Sequence, residues 1–148
     1  MARPIEPEMR TTVEMAPSQT SVRAVMSPGV IAISGDTTVA ECAATMSARR
    51  THAVLVIDPK TRVATGWVLH RDVLEHLRED PLTTRAADVV SQEAAYIDPE
   101  DTVEDAADRM IAEDVSHLLV GYGPQAVPVG VLSSWDLVAY YAGHVARY

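Results

Sequence analysis

No phenylalanine occurs among the 148 residues, and tryptophan and tyrosine bring the aromatics to only 5%. The core must therefore be aliphatic, built from Val, Leu, Ile, Ala and Met. Cysteine is nearly absent as well. Cys42 stands alone, which excludes an intrachain disulfide and any cysteine-based metal spacing, and a lone thiol fits a reducing compartment. Apolar residues come only in short runs. None approaches the ~18 residues of a membrane span, and the N-terminus lacks the uninterrupted apolar stretch of a secretory signal. The expectation is a cytoplasmic protein that does not engage a membrane. Basic charge is scarce: 12 Lys and Arg stand against 21 Asp and Glu, for a net charge of −9. A surface of that sign repels a phosphate backbone, so nucleic-acid binding is not expected. A small anionic ligand is still admissible, because a pocket can carry its own local donors.

What is present is an internal repeat. Sliding the chain on itself by 64 residues aligns two halves without a gap. Thr38-Val39 meets Thr102-Val103, Ala43 meets Ala107, and Met46 meets Met110. Leu55-Val56 meets Leu119-Val120, Gly66 meets Gly130, and Asp72 meets Asp136. Ahead of the repeat, residues 1–20 carry three prolines, mixed charge and no sustained period. They read as a flexible leader or as an extended arm on a partner subunit. The remaining chain divides into residues 21–80 and 81–148, one copy each.

Each copy reads as β-α-β-β-α. A short apolar run, Val30 to Ile33 or Ala94 to Ile97, leads to a turn with a helix-cap candidate at Gly35-Asp36-Thr37 or Pro99-Glu100-Asp101. Val39, Cys42, Ala43 and Met46 then fall at i, i+3, i+4 and i+7, as do Val103, Ala106, Ala107 and Met110, which puts four apolar groups on one helix face. Two β-runs follow. Ala53 to Ile57 and Val63 to Leu69 flank the turn Asp58-Pro59-Lys60-Thr61; His117 to Val120 and Val127 to Leu132 flank a Gly-Tyr-Gly-Pro turn. A second helix closes each copy, over Arg71 to Leu77 and Ser133 to Tyr141. One copy of this size has too small a core to stand comfortably alone. The expected class is α/β (α+β), with two copies packed sheet to sheet in pseudo-twofold symmetry.

Gly130-Val131-Leu132-Ser133-Ser134-Trp135-Asp136-Leu137 resembles the G-h-h-[ST]-x-x-D signature of CBS motifs. Val25-Met26-Ser27-Pro28 resembles the opening of the same motif. Thr51 to Asp58 resembles its second strand, without the usual proline. The resemblance covers residues 22 to 142 in both copies. It implies a CBS pair, or Bateman module, which commonly forms a homodimer and binds AMP, ADP, ATP or S-adenosylmethionine in clefts between motifs. The implied role is regulatory. No effector domain is visible, so a separate protein would receive the signal.

Asp136 is the leading candidate for a binding residue. A carboxylate three positions after Ser133, at a helix start, can accept both hydroxyls of a ribose. The helix N-terminus and the Ser133 hydroxyl suit a phosphate, and the resemblance assigns these same roles. Ser133-x-x-Asp136 is equally a near match to a capping box, which by itself explains both residues. The two readings are compatible. The resemblance further implies that Gly29, Ile31, Thr51, His52 and Ala53 wall the Asp136 site. A second, weaker pocket would hold Asp72 with Ala95, Val115, Ser116 and His117. Leu69 stands there in place of the hydroxyl residue, so one occupied site per chain is expected.

Five histidines, at 52, 70, 76, 117 and 144, form no HExxH and no pair with cysteine, so no metal site is expected. The absence of a nucleophile elbow, a P-loop or a metal constellation speaks against an enzyme, and no catalytic cofactor is expected. Trp67, Trp135, Tyr140 and Tyr141 are assigned to core or dimer packing. The competing reading is a dimerisation and interaction module without a small-molecule role.

Overall fold

A computed structural model describes residues 20–145, with side chains described as far as residue 143. Residues 1–19 of the 1–20 leader and the side chain of His144 lie outside the described residues. In chain order the elements are α1 (Val22–Val25), β1 (Ser27–Pro28), β2 (Ala32–Ser34), α2 (Val39–Arg49), β3 (Ala53–Ile57), β4 (Ala64–Leu69) and α3 (His70–Glu75). A 3-10 turn (Ala86–Asp88), β5 (Gln92–Glu93), β6 (Tyr96–Ile97), α4 (Val103–Glu113), β7 (His117–Val120), β8 (Gly130–Ser133) and α5 (Ser134–Val145) complete the chain. The architecture is α+β, as the alternation of periods predicts.

The elements gather into two compact units. The first-repeat unit holds Gly29–Ala95 and Gly123–Val127; the second-repeat unit holds the described residues up to Pro28, then Tyr96–Tyr122, and from Pro128 onward. In the first-repeat unit the sheet order is β2-β3-β4-β5. β2 runs parallel to β3, and the other two pairings are antiparallel. In the second-repeat unit the order is β6-β7-β8-β1, with the same directions. The parallel pair requires a crossover, and α2 or α4 supplies it.

Each sheet takes its last strand from the opening stretch of the other repeat. Thr20 and Thr84 do equivalent work: Val103 N–H donates to Thr20 O at 3.0 Å, and Val39 N–H donates to Thr84 O at 2.9 Å. Sequence repeat and compact units therefore divide the chain differently. The two-residue strands β1 and β5 were not visible in the sequence pattern. They are too short to show a period, and Pro28 sits where only an edge strand tolerates it.

Helices α2 and α4 each begin on a reciprocal capping box. Thr38 Oγ1 accepts from Glu41 N–H at 3.1 Å, and Glu41 Oε1 accepts from Thr38 N–H at 3.1 Å. Thr102 and Asp105 repeat the exchange at 3.2 and 3.1 Å. The caps thus fall one residue beyond the Gly35–Thr37 and Pro99–Asp101 turns, and the threonine with an acid three residues on was the readable signal. Both helices end on a left-handed residue, Arg50 and Asp114, each with φ 53°. The core of the first-repeat unit forms where Val39, Cys42 and Met46 of α2 meet Val54, Val56 and Val68 of the sheet and Ala86 and Val89 beyond. Their counterparts Val103, Ala106, Met110, Leu118, Val120 and Leu132 are buried in the other unit. In the β3–β4 turn, Asp58 Oδ1 accepts from Lys60 and Thr61 N–H. Those bonds, Thr61's first, hold its carboxyl below the usual carboxylate range.

Burial, followed by the charge of Asp72, pushes the Cys42 thiol from 9.0 to about 11. The folded chain therefore keeps a proton that the unfolded chain releases. Stability contributed by this group is full below pH 9.0 and is lost as pH rises towards about 11. Folded protein at pH 8 is expected to resist alkylation by iodoacetamide for as long as it stays folded, with mass spectrometry as the readout. Fast modification of the native chain would contradict the burial.

Candidate functional site

In both repeats a strand runs straight into a helix, and an aspartate stands three positions past the strand's last residue. β8 ends at Ser133 and α5 begins at Ser134; β4 ends at Leu69 and α3 begins at His70. At the second corner Asp136 Oδ2 accepts from Ser133 N–H at 2.9 Å, and Ser133 Oγ accepts from Asp136 N–H at 3.1 Å. The capping reading is thus realised. It leaves chemistry unused. Asp136 is half-buried rather than enclosed, and its Oδ1 has no hydrogen-bond partner among the described residues. Ser133 accepts through its oxygen, so its own proton remains available to an outside acceptor.

Further polar groups surround this corner. His117 lies opposite Ser133 in the β7–β8 register. Ser134 N–H donates to Ser116 O at 2.8 Å, and Ser116 Oγ lies 2.8 Å from His117 Nδ1. Val115 is half-buried beside them, with its N–H on Met110 O.

The equivalent corner in the first-repeat unit is closed. Asp72 is 2% exposed. Its Oδ2 accepts from Leu69 N–H at 2.7 Å and from the Ser91 hydroxyl at 2.6 Å. Leu69 offers no hydroxyl to complete a box. Ser91 went unnoticed in the sequence, since it lies far along the chain from Asp72 and belongs to no motif.

The same unit holds the other residues singled out. Thr51 Oγ1 donates to Ala53 O at 2.9 Å, Ala53 is buried, and His52 is exposed at the head of β3. Ile31 is half-buried against the core, and its carbonyl accepts from Leu55 N–H. Gly29 is exposed with φ 78°, a left-handed position suited to glycine. Ala95 is half-buried just ahead of β6. Ser133 and Asp136 belong to one unit, while Gly29, Ile31, Thr51, His52 and Ala53 belong to the other. Asp72 and Ala95 are likewise separated by unit from Val115, Ser116 and His117.

The aromatics divide between the two assignments, core or dimer packing. Trp67 is buried in β4, but Trp135 and Tyr141 are 72% and 66% exposed and contribute nothing to the core. With Val138 they line one exposed face of α5. Tyr140 is half-buried, its hydroxyl 2.7 Å from Thr20 Oγ1. Among the described residues no group of three or more His, Cys, Asp or Glu is placed to hold a metal ion. No helix of those residues is long and apolar enough to cross a membrane.

The model of the CBS domain matches residues 22–79 and again residues 86–143. The chain belongs to the CBS domain family. Solved CBS structures share the fold across nearly the full length. One, from a bacterial CNNM/CorC family Mg2+ transporter in complex with ATP, is 18% identical with a TM-score of 0.76, covering 93% of this chain and 97% of the other. A second, from a CBS domain containing membrane protein of Sphaerobacter thermophilus, is 24% identical with a TM-score of 0.73 and the same coverage. A third, a CBS-domain containing protein from Agrobacterium tumefaciens, is 19% identical with a TM-score of 0.71, covering 85% and 96%. No curated protein matches the chain.

CBS pairs are regulatory modules and often bind adenine nucleotides. The glycine of the CBS signature has a physical reason in both motifs. A Cβ on Gly130 would stand 2.5 Å from Ser27 O and 2.8 Å from Met26 Sδ; one on Gly66 would stand 2.3 Å from Gln92 O. The edge strand crosses directly over each glycine.

Proposed function

We propose that this CBS pair binds one adenine nucleotide per chain, AMP, ADP or ATP, at the Ser133–Asp136 corner, and relays its occupancy to a separate partner protein. The carrying observation is the contrast between the corners. Asp136 is half-buried and its carboxylate accepts only from Ser133 N–H, whereas Asp72 is 2% exposed and its carboxylate accepts from both Leu69 N–H and Ser91. In this reading Asp136 takes the ribose hydroxyls and the Ser133 hydroxyl donates to phosphate. Gly29, Ile31, Thr51, His52 and Ala53 are the residues that would meet the adenine. The ATP complex of a similar CBS domain supports the ligand class, and S-adenosylmethionine shares the adenosine group.

The exposed Trp135, Val138 and Tyr141 suit a homodimer that covers them. Its mass in solution would be twice that of the 16.0 kDa chain.

Melting in the presence of each ligand tests the proposal. A nucleotide at 100 times its dissociation constant stabilises by about 2.7 kcal/mol, which for a chain of this size raises the melting temperature by about 5–10 °C. No shift with AMP, ADP, ATP or S-adenosylmethionine at millimolar concentration would favour the second reading, a dimerisation and interaction module. The completed capping box at Ser133 and the missing hydroxyl at Leu69 are what speak for that reading.

A further inference from the structure

The strand-to-helix corner of the first-repeat unit carries a feature that its counterpart lacks. His70 N–H donates to His52 O at 2.9 Å, just as Ser134 N–H donates to Ser116 O at 2.8 Å. This backbone bond belongs to the fold and sets two residues side by side at both corners. In the second-repeat unit those residues are serines. In the first they are both histidines, with ring centres 5.0 Å apart and planes inclined by 49°. Serines serve the same backbone bond equally well, so the fold does not require the imidazoles.

Both rings are exposed, and neither makes a hydrogen bond to any described residue. The neighbouring Arg71 guanidinium is turned to Glu75 at 3.5 Å. The corner therefore presents two imidazole rings, unspent and open to water. Their spacing suits one chemistry well. A zinc-like ion lies about 2.0–2.1 Å from an imidazole nitrogen, hence roughly 3.2 Å from the ring centre. Two adjacent ligands on such an ion then hold their ring centres about 4.5–5.2 Å apart, the span from right-angled to tetrahedral coordination.

We propose that His52 and His70 form a two-histidine chelate for one divalent late first-row cation of the zinc, nickel or copper class, with water at the remaining positions. Imidazole favours these ions, whereas Mg2+ and Ca2+ prefer oxygen ligands. The site makes no use of Asp136 and shares only His52 with the residues proposed to meet the adenine.

Titration calorimetry on the untagged, chelator-stripped chain, free of nucleotide, tests it with Ni2+ and Zn2+ as probes. One ion per chain is expected. His52→Ala and His70→Ala should each weaken it by at least about tenfold, the lower end of the loss seen when even an outer partner of a ligand is removed. His117→Ala should bind as the wild type does, and Mg2+ should give no heat. Both ring substitutions fall at exposed, unbonded side chains, and circular dichroism checks that the fold persists. Absence of Ni2+ and Zn2+ binding, or undiminished affinity in either ring variant, would overturn the proposal. Because the titration omits nucleotide, failure of the nucleotide reading leaves this result unaffected.

Discussion

Gly66→Ala is expected to destabilise the protein by about 3 kcal/mol, the upper end of what overpacking costs, and to lower its melting temperature by roughly 6–12 °C. The methyl would stand 2.3 Å from Gln92 O and 2.6 Å from Val90 Cγ1. The first obstacle is a backbone carbonyl, which cannot rotate away as a side-chain end would. Relief requires β5 to lift from β4, and the register there is Gly66 opposite Glu93 and Trp67 opposite Gln92. Losing that pairing uncovers Trp67, which is almost fully buried. Gly143→Ala is the control: no atom lies within 4 Å of the added methyl, and alanine in a helix is favoured over glycine by about 0.5–1 kcal/mol. Thermal melts of both variants check the pair. Equal stability of the Gly66 variant and wild type would mean that the edge strand does not cross where the structure has it.

Asp72→Ala should also be severely destabilising, while Asp136→Ala is tolerated. Asp72 is enclosed, and its carboxylate satisfies both Leu69 N–H and the Ser91 hydroxyl. Removing it deprives Leu69 N–H of its partner, at ~1–3 kcal/mol, frees the exposed Ser91 hydroxyl, and leaves a cavity where a buried carboxylate stood. Asp136 is half-buried, and its loss removes one side of a capping box, worth about 1 kcal/mol. Chemical denaturation of the two variants should therefore separate by several-fold in lost stability. The contrast assigns roles to two residues that occupy the same position in their motifs. Equal losses would erase the distinction between a structural and an accessible carboxylate, and with it the choice of corner.

Much of the fold was legible. The continuous apolar run Ala53–Ile57 is β3 to the residue, and the 3-4-7 spacing from Val39 and Val103 is α2 and α4. These elements declare themselves because their burial is periodic or unbroken. The 64-residue repeat was visible for the same reason, since both copies bury equivalent positions. What escaped lies where local sequence carries no period. β1 and β5 are two residues long and defined only by the strand they border. Ser91 meets Asp72 and His70 meets His52 through tertiary folding, with nothing in the intervening residues to signal either contact. Sequence alone left Trp135 and Tyr141 between core and dimer packing, and their exposure takes them out of the core of the chain.

The signature around Asp136 was legible as chemistry but ambiguous as purpose. Ser133 and Asp136 do cap α5, as spacing alone suggested. Only coordinates could show that capping uses one oxygen of a half-buried Asp136 carboxylate, and that the matching aspartate of the first motif is 2% exposed with Ser91 as a further partner.

Titration calorimetry of wild type and Asp136→Ala with AMP and ATP tests the central claim most directly. The account predicts one nucleotide bound per chain in the wild type and no detectable binding in a variant that keeps its fold. Unchanged affinity in the Asp136 variant, or two nucleotides per chain in the wild type, would contradict it.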